Sequence, residues 1–153
     1  MPERNSDTLR LEDFLPYRLS VLSNRVSRTI AERYEERFQL SMSEWRVMAV
    51  LGESPGLSAG EVAVRTAMDK VAVSRAVNRL LETGRLERRF SDEDRRRSVL
   101  QLSAAGRKIY RDVVPIAKAY ESELLNALSE SESGQLNTLI DRLFESLDAR
   151  ASA

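Results

Sequence analysis

The stretch 69–103 constrains the fold of this chain more than any other segment. It opens with Asp69, which suits the N-cap of a helix, and the helical pattern that follows stops at Gly84. Two short segments that fit β-strands come next and enclose a charged tip at 91–97. A helix with exposed polar residues, followed by a hairpin with an arginine-rich tip, is typical of a winged helix that binds duplex DNA.

The rest of the chain has the periodicity of helices. Apolar residues recur at steps of three and four, and Ser-x-x-Glu capping boxes at Ser41 and Ser58 mark two helix starts. Helices are predicted at about 12–38, 41–52, 58–66, 69–84 and 103–128, with strands at 85–90 and 98–102. After a predicted break at 129–134, a sixth helix runs to about 149.

The predicted fold class is mainly α, in one domain that spans 1–153. A winged helix-turn-helix lobe with a two-stranded wing occupies 41–102. The N- and C-terminal helices, at 11–38 and 103–149, carry more apolar surface than one small lobe can cover. We therefore expect these ends to interleave with a second copy and form a homodimer, and the alternative is an intramolecular helical cap.

The composition excludes several kinds of site. The 153 residues include no cysteine and no histidine, which rules out disulfides, thiolate zinc sites and a histidine base. Catalysis would need carboxylates or lysine, and no paired-acid pocket is visible, so we expect neither an enzyme nor a cofactor. No apolar run approaches the ~20 residues that span a bilayer, and the N-terminus lacks an apolar signal core. A cytoplasmic protein without a membrane partner is expected.

A net charge of zero hides a strong asymmetry along the chain. Residues 65–111 hold 13 Lys and Arg against 6 Asp and Glu, whereas 1–64 hold 8 against 10 and 112–153 hold 3 against 8. A basic middle between acidic ends favours a polyanion as the partner of the middle segment.

The fourth predicted helix has two distinct faces. Val73, Val77, Leu80 and Leu81 form the face that we expect in the core. On the other face, Arg suits guanine, Asn suits adenine and an aliphatic side chain suits the thymine methyl. The predicted DNA contacts of this helix are Lys70, Val71, Ser74, Arg75, Asn78 and Arg79.

The charged tip supplies the second set of predicted DNA contacts, which are Asp94, Arg95, Arg96 and Arg97. Asp94 is placed to hold the guanidinium of Arg96, and a pre-positioned arginine loses less entropy when it enters a minor groove. Phosphate contacts are expected from side chains and helix N-termini. The candidates are Ser41 or Ser43, Ser58, Arg65, Arg88 and Arg97.

The chain resembles the MarR family of bacterial transcription regulators over about residues 12–148. The resemblance is carried by Ser43-Glu44-Trp45-Arg46-Val47, Leu57-Ser58-Ala59-Gly60-Glu61-Val62-Ala63, Asp69-Lys70-Val71-Ala72-Val73-Ser74-Arg75-Ala76-Val77, Leu80, Gly84, Glu87-Arg88, Asp92-Glu93-Asp94-Arg95-Arg96-Arg97 and Leu102-Ser103-Ala104-Ala105-Gly106.

The resemblance implies a mostly helical homodimer with two winged-helix lobes, and an acid-x-Arg pair at Asp94 and Arg96. It implies recognition helices in successive major grooves of a pseudo-palindromic operator, about 34–36 Å apart. It also implies that a small anionic or aromatic effector weakens DNA binding. Family members that sense peroxides use cysteine, which this chain lacks.

An effector pocket is expected between the first two helices and the lobe. An arginine beside aromatic and thioether walls suits an aromatic carboxylate or acyl-CoA. The block 14–24 is similar to members that govern aromatic-acid breakdown, some of which answer to an aromatic acyl-CoA thioester. The predicted lining is Leu15, Arg18, Leu22, Arg25, Trp45, Arg46 and Met48. The helical spacing of Trp45 and Met48 is more often that of a plain core, and Arg18 and Arg25 equally suit a bridge between subunits.

Two functional hypotheses follow from these patterns. The first is a ligand-responsive dimeric repressor that binds DNA. The alternative is a helical protein–protein interaction module that binds no DNA, which the long amphipathic ends favour and the basic middle does not.

Overall fold

The computed structural model describes residues 8–94 and 96–153, so the predicted contact Arg95 lies outside the described residues. A 3₁₀ turn at Leu11–Asp13 precedes the first helix, and a single antiparallel hairpin lies between the fourth and fifth helices of this described part. The elements are α1 (Leu15–Phe38), α2 (Met42–Glu53), α3 (Ala59–Thr66), α4 (Lys70–Glu82), β1 (Leu86–Phe90), β2 (Ser98–Leu102), α5 (Ala104–Leu125) and α6 (Glu130–Ala151).

These elements confirm the predicted mainly α fold with a winged helix-turn-helix. The described residues fall into two compact units, the first ending at Ile116 and the second running from Ala117 to Ala153. In the described part of the chain, no helix combines the length and the apolar character that a membrane span requires.

Three predicted helix starts are confirmed by their capping bonds. The hydroxyl of Ser41 accepts from the backbone N–H of Glu44 at 3.1 Å, and the carboxylate of Asp69 accepts from Ala72 at 2.8 Å. At Ser58 the box is reciprocal, because Glu61 also accepts from the backbone N–H of Ser58 at 2.7 Å. Each cap satisfies N–H groups that a helix start leaves without partners.

The start of α1 corrects the predicted boundary at Glu12. The helix begins at Leu15, after an extended Phe14 with φ −93° and ψ 108°. Pro16 explains the difference, because a proline lacks the N–H that a longer helix would need there and fits only the first turn.

The predicted break at 129–134 is wrong. The helix α5 ends at Leu125, three residues before the predicted end, and α6 already begins at Glu130. Ser129 and Glu132 form a reciprocal capping box that starts the helix. Gly134 lies inside α6, since a single exposed glycine weakens a helix by only about 1 kcal/mol and does not end it.

The core of the first unit lies under α4 and the hairpin. From α4 it takes Val73, Val77 and Leu80, as the spacing predicted, together with Ala76, whereas Leu81 is only half-buried. Other elements contribute Ala31, Tyr34, Leu40, Val47, Met48, Leu51, Val62, Ala63, Leu86, Leu100, Leu102 and Val113. Burial of this face fixes which side of α4 remains exposed.

The hairpin is tied to the loop that follows α2. Its strands pair in a register that sets Leu86 opposite Leu102 and Arg88 opposite Leu100. The backbone of Leu100 also donates to Leu57 at 2.8 Å and accepts from Gly56 at 2.9 Å. The wing is therefore anchored on two sides, by its own turn and by the loop before α3.

Arg85 joins the hairpin to the end of α1. Its guanidinium donates to the carbonyl oxygens of Phe38 at 2.5 Å and Gln39 at 3.2 Å. These carbonyls lie at the C-terminus of α1, where Gln39 turns the chain with φ +47°. A cation at a helix C-terminus satisfies free carbonyls and interacts favourably with the helix dipole.

Candidate nucleic-acid interface

The outer face of α4 presents the six predicted contact residues together. Lys70, Val71, Ser74, Arg75, Asn78 and Arg79 are all exposed. Val71 is 59% exposed, so its side chain is accessible for an apolar contact. The helix-turn-helix consists of α3, a turn at 67–69 in which Ala67 has φ +52°, and α4. The second helix of this motif, α4, therefore has an exposed polar face, and the major groove of duplex DNA can accommodate such a helix.

Hydrogen bonds within the loop order the tip of the hairpin. The Asp94 carboxylate accepts from the backbone N–H of Arg96 at 3.0 Å, and the Asp94 carbonyl accepts from Arg97 at 2.9 Å. Ser91 closes the loop by donating to the carbonyl of Arg97 at 2.9 Å. The sequence predicted that Asp94 holds the guanidinium of Arg96, but the hydrogen bond runs to the backbone. A carboxylate two residues upstream reaches the nearby N–H more easily than a long side chain, and the Arg96 side chain stays exposed.

Arg97 is engaged with α3 at the base of the wing. Its guanidinium forms an ion pair with the Glu61 carboxylate, which also caps α3 through Ser58. The sequence identified Glu61 only as part of a capping box. Its contact with Arg97, which lies 36 residues further along the chain, is a tertiary feature. The pair connects the wing to the first helix of the helix-turn-helix.

The pKa of Glu61 is lowered from 4.5, first by the hydrogen bond from the Ser58 backbone and then by Arg97. A depressed carboxyl pKa means that the ionised form is favoured by folding. Its stabilising contribution is present above pH 4.5 and is lost as the pH falls through the folded-state value. We expect Glu61→Gln to unfold at lower urea than the parent near neutral pH, with a difference that shrinks below pH 4.5.

Urea midpoints of both proteins, measured at a series of pH values, check this expectation. Ser58→Ala, which removes the hydroxyl half of the same box, keeps the carboxylate and is the control. A difference between parent and Glu61→Gln that stays constant on acidification contradicts the assignment.

Most predicted phosphate contacts already have intramolecular partners. The hydroxyls of Ser41 and Ser58 accept capping bonds, and Ser43 is half-buried. Arg65 donates to Ser54 at 2.8 Å, and Arg88 donates to Ser98 at 3.3 Å. The hydrogen bonds of Arg65 and Arg88 are exposed, so phosphate oxygens can replace the serine hydroxyls as acceptors. These two side chains therefore remain candidates for phosphate contacts.

The seven predicted effector residues do not form one site. Four of them, Leu15, Arg18, Leu22 and Arg25, line an open groove of about 390 Å³ along α1. Met48 is fully buried in the core. Four of these five residues therefore lie on the surface of α1, and the fifth lies in the core. The helical spacing of α1 and α2 accounts for this separation.

The other two predicted effector residues also have structural partners. Trp45 stacks on Tyr110 with ring centroids 5.8 Å apart and packs against Tyr34 at 5.9 Å. Arg46 donates to the hydroxyl of Ser27 at 2.8 Å. Burial raises the pKa of Tyr34 to about 12, which keeps its phenol neutral in this cluster. In the described residues, no group of Asp and Glu side chains is arranged to hold a metal ion.

Residues 38–97 match a model of the MarR family. Two relatives support the match. The transcriptional regulator BilQ of Clostridium symbiosum is 31% identical over 99 residues, which are 65% of this chain and 69% of that protein. The transcriptional repressor MprA of Escherichia coli K12 is 29% identical over 147 residues, covering 91% of this chain and 83% of its own length.

The fold agrees with solved structures. A MarR/EmrR family transcriptional regulator from Acinetobacter sp. ADP1 superposes with a TM-score of 0.83 at 27% identity, over 92% of this chain and 99% of that one. These relatives are regulators and not enzymes. The exposed α4 face, the arginine-bearing wing and these similarities together show that the chain belongs to the MarR family and is a DNA-binding transcriptional regulator.

Proposed function

We propose that the chain is a homodimeric repressor that places α4 in the major groove and the tip of its wing in the minor groove of a pseudo-palindromic operator. One observation carries this proposal, which is the exposed polar face of α4 beside a wing tip ordered by Asp94. The sign of regulation is supported by the relative MprA, which is named a repressor.

The chemistry of the α4 face supports reading of base edges. The Arg75 guanidinium suits a bidentate contact with guanine, and the Asn78 amide suits adenine. Lys70 lies at the first turn, and its charge suits a phosphate. Asp94 holds the backbone of Arg96, so less conformational entropy is lost when the Arg96 side chain enters a narrow minor groove.

The dimer is supported by apolar surface at both ends of the chain. The α6 helix contains no buried residue, although large apolar side chains recur along it. They are Leu136, Leu139, Ile140, Leu143, Phe144 and Leu147, between 38% and 63% exposed. In the other unit, Leu9, Leu11, Phe14, Leu15, Tyr17, Leu19 and Leu22 are exposed as well. Stripes of this size on a soluble protein mark a protein interface, and a second copy covers both at once.

The proposed effector is a small molecule whose binding disfavours the DNA-binding arrangement of the two lobes. The ligand then lowers the affinity for DNA by the same factor by which DNA lowers the affinity for the ligand, because coupling between two binding sites is reciprocal. A tenfold loss of operator affinity needs only about 1.4 kcal/mol of differential binding. The predicted class is an aromatic acid or an aromatic acyl-CoA.

Two arginine variants test the proposed DNA contacts. We expect Arg75→Ala to relax base preference at one position of each half-site, with a loss of about 1–3 kcal/mol per bidentate contact. We expect Arg96→Ala to weaken binding more evenly across sequences and to reduce the slope of affinity against salt by about one unit per wing. Fluorescence anisotropy on upstream DNA from the source genome, after footprinting, measures both effects.

Arg142→Ala is the matched control, because it removes the same charge from α6, which contributes no residue to the proposed DNA contacts. Equal affinity of Arg96→Ala and the parent at physiological salt would show that the wing assignment is wrong. If the parent ignores every duplex while it captures a protein partner, the interaction-module hypothesis replaces this one.

A further inference from the structure

The ion pair between Arg97 and Glu61 engages one of the arginines that the sequence predicts as a DNA contact. Both side chains lie at the surface, 46% and 42% exposed. An ion pair this exposed contributes little to folding stability, because water screens its charges. Its clearer consequence is electrostatic. In the free protein, a carboxylate at the base of the wing already neutralises the charge of Arg97.

The Glu61 carboxylate is held in position independently of Arg97. Its Oε2 accepts the capping bond from the backbone N–H of Ser58 at 2.7 Å, and its Oε1 accepts from Arg97. Glu61 lies in the first turn of α3, where the positive end of the helix dipole favours an ionised carboxylate. The cap therefore keeps the carboxylate beside the wing when the Arg97 side chain leaves it.

The backbone of Arg97 is fixed as well. Its N–H donates to the carbonyl of Asp94 and its carbonyl accepts from the N–H of Ser91, both at 2.9 Å, and β2 begins at the next residue. The guanidinium can therefore leave Glu61 by rotation of the Arg97 side chain, while the backbone of the wing keeps its conformation.

A guanidinium binds a carboxylate and a phosphate with the same forked geometry, so the two anions compete for it. We propose that Glu61 is an intramolecular competitor of the DNA backbone, and that Arg97 exchanges the Glu61 carboxylate for a phosphate when the wing binds duplex DNA. Each binding event then breaks the ion pair and leaves a carboxylate facing a polyanion. Glu61 therefore lowers the affinity for DNA and reduces its dependence on salt. This exchange rests on the placement of the wing on DNA that is proposed above.

Arg97 differs in this respect from the two other arginines that are candidates for phosphate contacts. Arg65 and Arg88 donate to the hydroxyls of Ser54 and Ser98, which are neutral partners. Among these three arginines, in the described part of the chain, Arg97 is the one whose charge is cancelled by its partner. Removal of that partner therefore releases a full positive charge, which is measurable as a change in salt dependence.

The Glu61→Gln variant tests the exchange. Glutamine keeps an oxygen that accepts the Ser58 capping bond, but it has no charge to hold Arg97. We expect operator affinity to rise about threefold to tenfold, because Arg97 then neutralises a phosphate without leaving a carboxylate behind. The slope of log affinity against log salt should become steeper by up to about one unit per wing. Fluorescence anisotropy over a series of salt concentrations measures both quantities.

A double-mutant cycle with Arg97→Gln separates the exchange from a purely structural role of Glu61. Arg97→Gln is expected to weaken operator binding about threefold or more, since one phosphate contact per wing is lost. In the Arg97→Gln background, the gain from Glu61→Gln is expected to fall below about twofold, because no guanidinium remains to be released. A purely structural role predicts the opposite sign, which is a loss of affinity when the Glu61 carboxylate is replaced.

Glu132→Gln is the matched control, because it makes the same substitution in the same kind of capping box. Glu132 accepts from the backbone N–H of Ser129 at 2.9 Å at the start of α6, which contributes no residue to the proposed DNA contacts. The variant loses one negative charge and weakens one helix cap, as Glu61→Gln does. It is expected to bind the operator within about twofold of the parent and with the same salt slope.

Each of three outcomes would overturn the exchange. They are parental or weaker operator binding by Glu61→Gln, an equal gain from Glu61→Gln in the Arg97→Gln background, and a gain of affinity in Glu132→Gln that matches that of Glu61→Gln. A parent that binds DNA through Arg96, together with a Glu61→Gln variant that is indistinguishable from it, overturns the exchange and leaves the proposed function standing. A parent that binds no duplex overturns both.

Discussion

Gly106→Ala is expected to lower the free energy of unfolding by about 3 kcal/mol or more, although alanine is normally the better helix former. A Cβ at this position would overlap the carbonyl oxygen of Arg85 and lie 2.9 Å from its carbonyl carbon. The opposing atoms are backbone and cannot rotate away. The first turn of α5 would have to move from the turn before β1, where Ser103 bonds to Gly84 at 2.6 Å.

Thermal and urea unfolding measure this effect, and a fall in Tm of about 6–12 °C corresponds to it. Two matched controls make the same substitution within helices. Gly134 in α6 has nothing within 4 Å of a built Cβ, and Gly60 in α3 has only the Ser58 hydroxyl at 3.9 Å. Gly134→Ala is expected to stabilise by about 0.5–1 kcal/mol, and Gly60→Ala to be close to neutral. Stabilisation by Gly106→Ala would contradict the close approach that the structure shows.

The elements of the lobe were predictable because their signals are local. The capping residues Ser41, Ser58 and Asp69 satisfy N–H groups within three residues, so their effect appears in the sequence itself. The two faces of α4 were predictable for a similar reason, since helical periodicity alone separates buried Val73 from exposed Ser74.

Other features depend on contacts between distant segments and were not predictable. The pair of Arg97 with Glu61 and the bonds of Arg85 to the end of α1 join residues that are 36 to 47 positions apart. The break at 129–134 was predicted wrongly because Gly134 looked like a stop signal, whereas the Ser129 cap five residues earlier decides where α6 begins.

Arg85 joins the lobe to the helices on both sides of it through backbone and charge. Arg85 bonds to the end of α1, its carbonyl lies against Gly106 at the start of α5, and the strand β1 begins at the next residue. The start of β1 is therefore held against both α1 and α5, by the Arg85 guanidinium on one side and the Arg85 carbonyl on the other.

Leu143→Glu is expected to convert the protein from dimer to monomer and, with it, to abolish tight binding to a two-half-site operator. Burial of one leucine stabilises by about 1.5–3 kcal/mol, and in a symmetric dimer each substitution counts twice. Dimer association should weaken by about a hundredfold or more, before the added cost of bringing a carboxylate into an apolar interface. Sedimentation equilibrium measures the dissociation constant, and anisotropy on the operator measures DNA affinity.

Thr138→Glu is the matched control, because it adds the same charge to α6 on the side opposite the stripe that contains Leu143. It is expected to remain dimeric and to bind DNA as the parent does. A monomeric parent, or a Leu143→Glu variant that dimerises normally, contradicts the assignment of the α6 stripe to the subunit interface. A monomeric Leu143→Glu variant that still binds a single half-site weakly would show that the α4 face and the wing read DNA by themselves, and that the dimer supplies affinity through the simultaneous engagement of two half-sites.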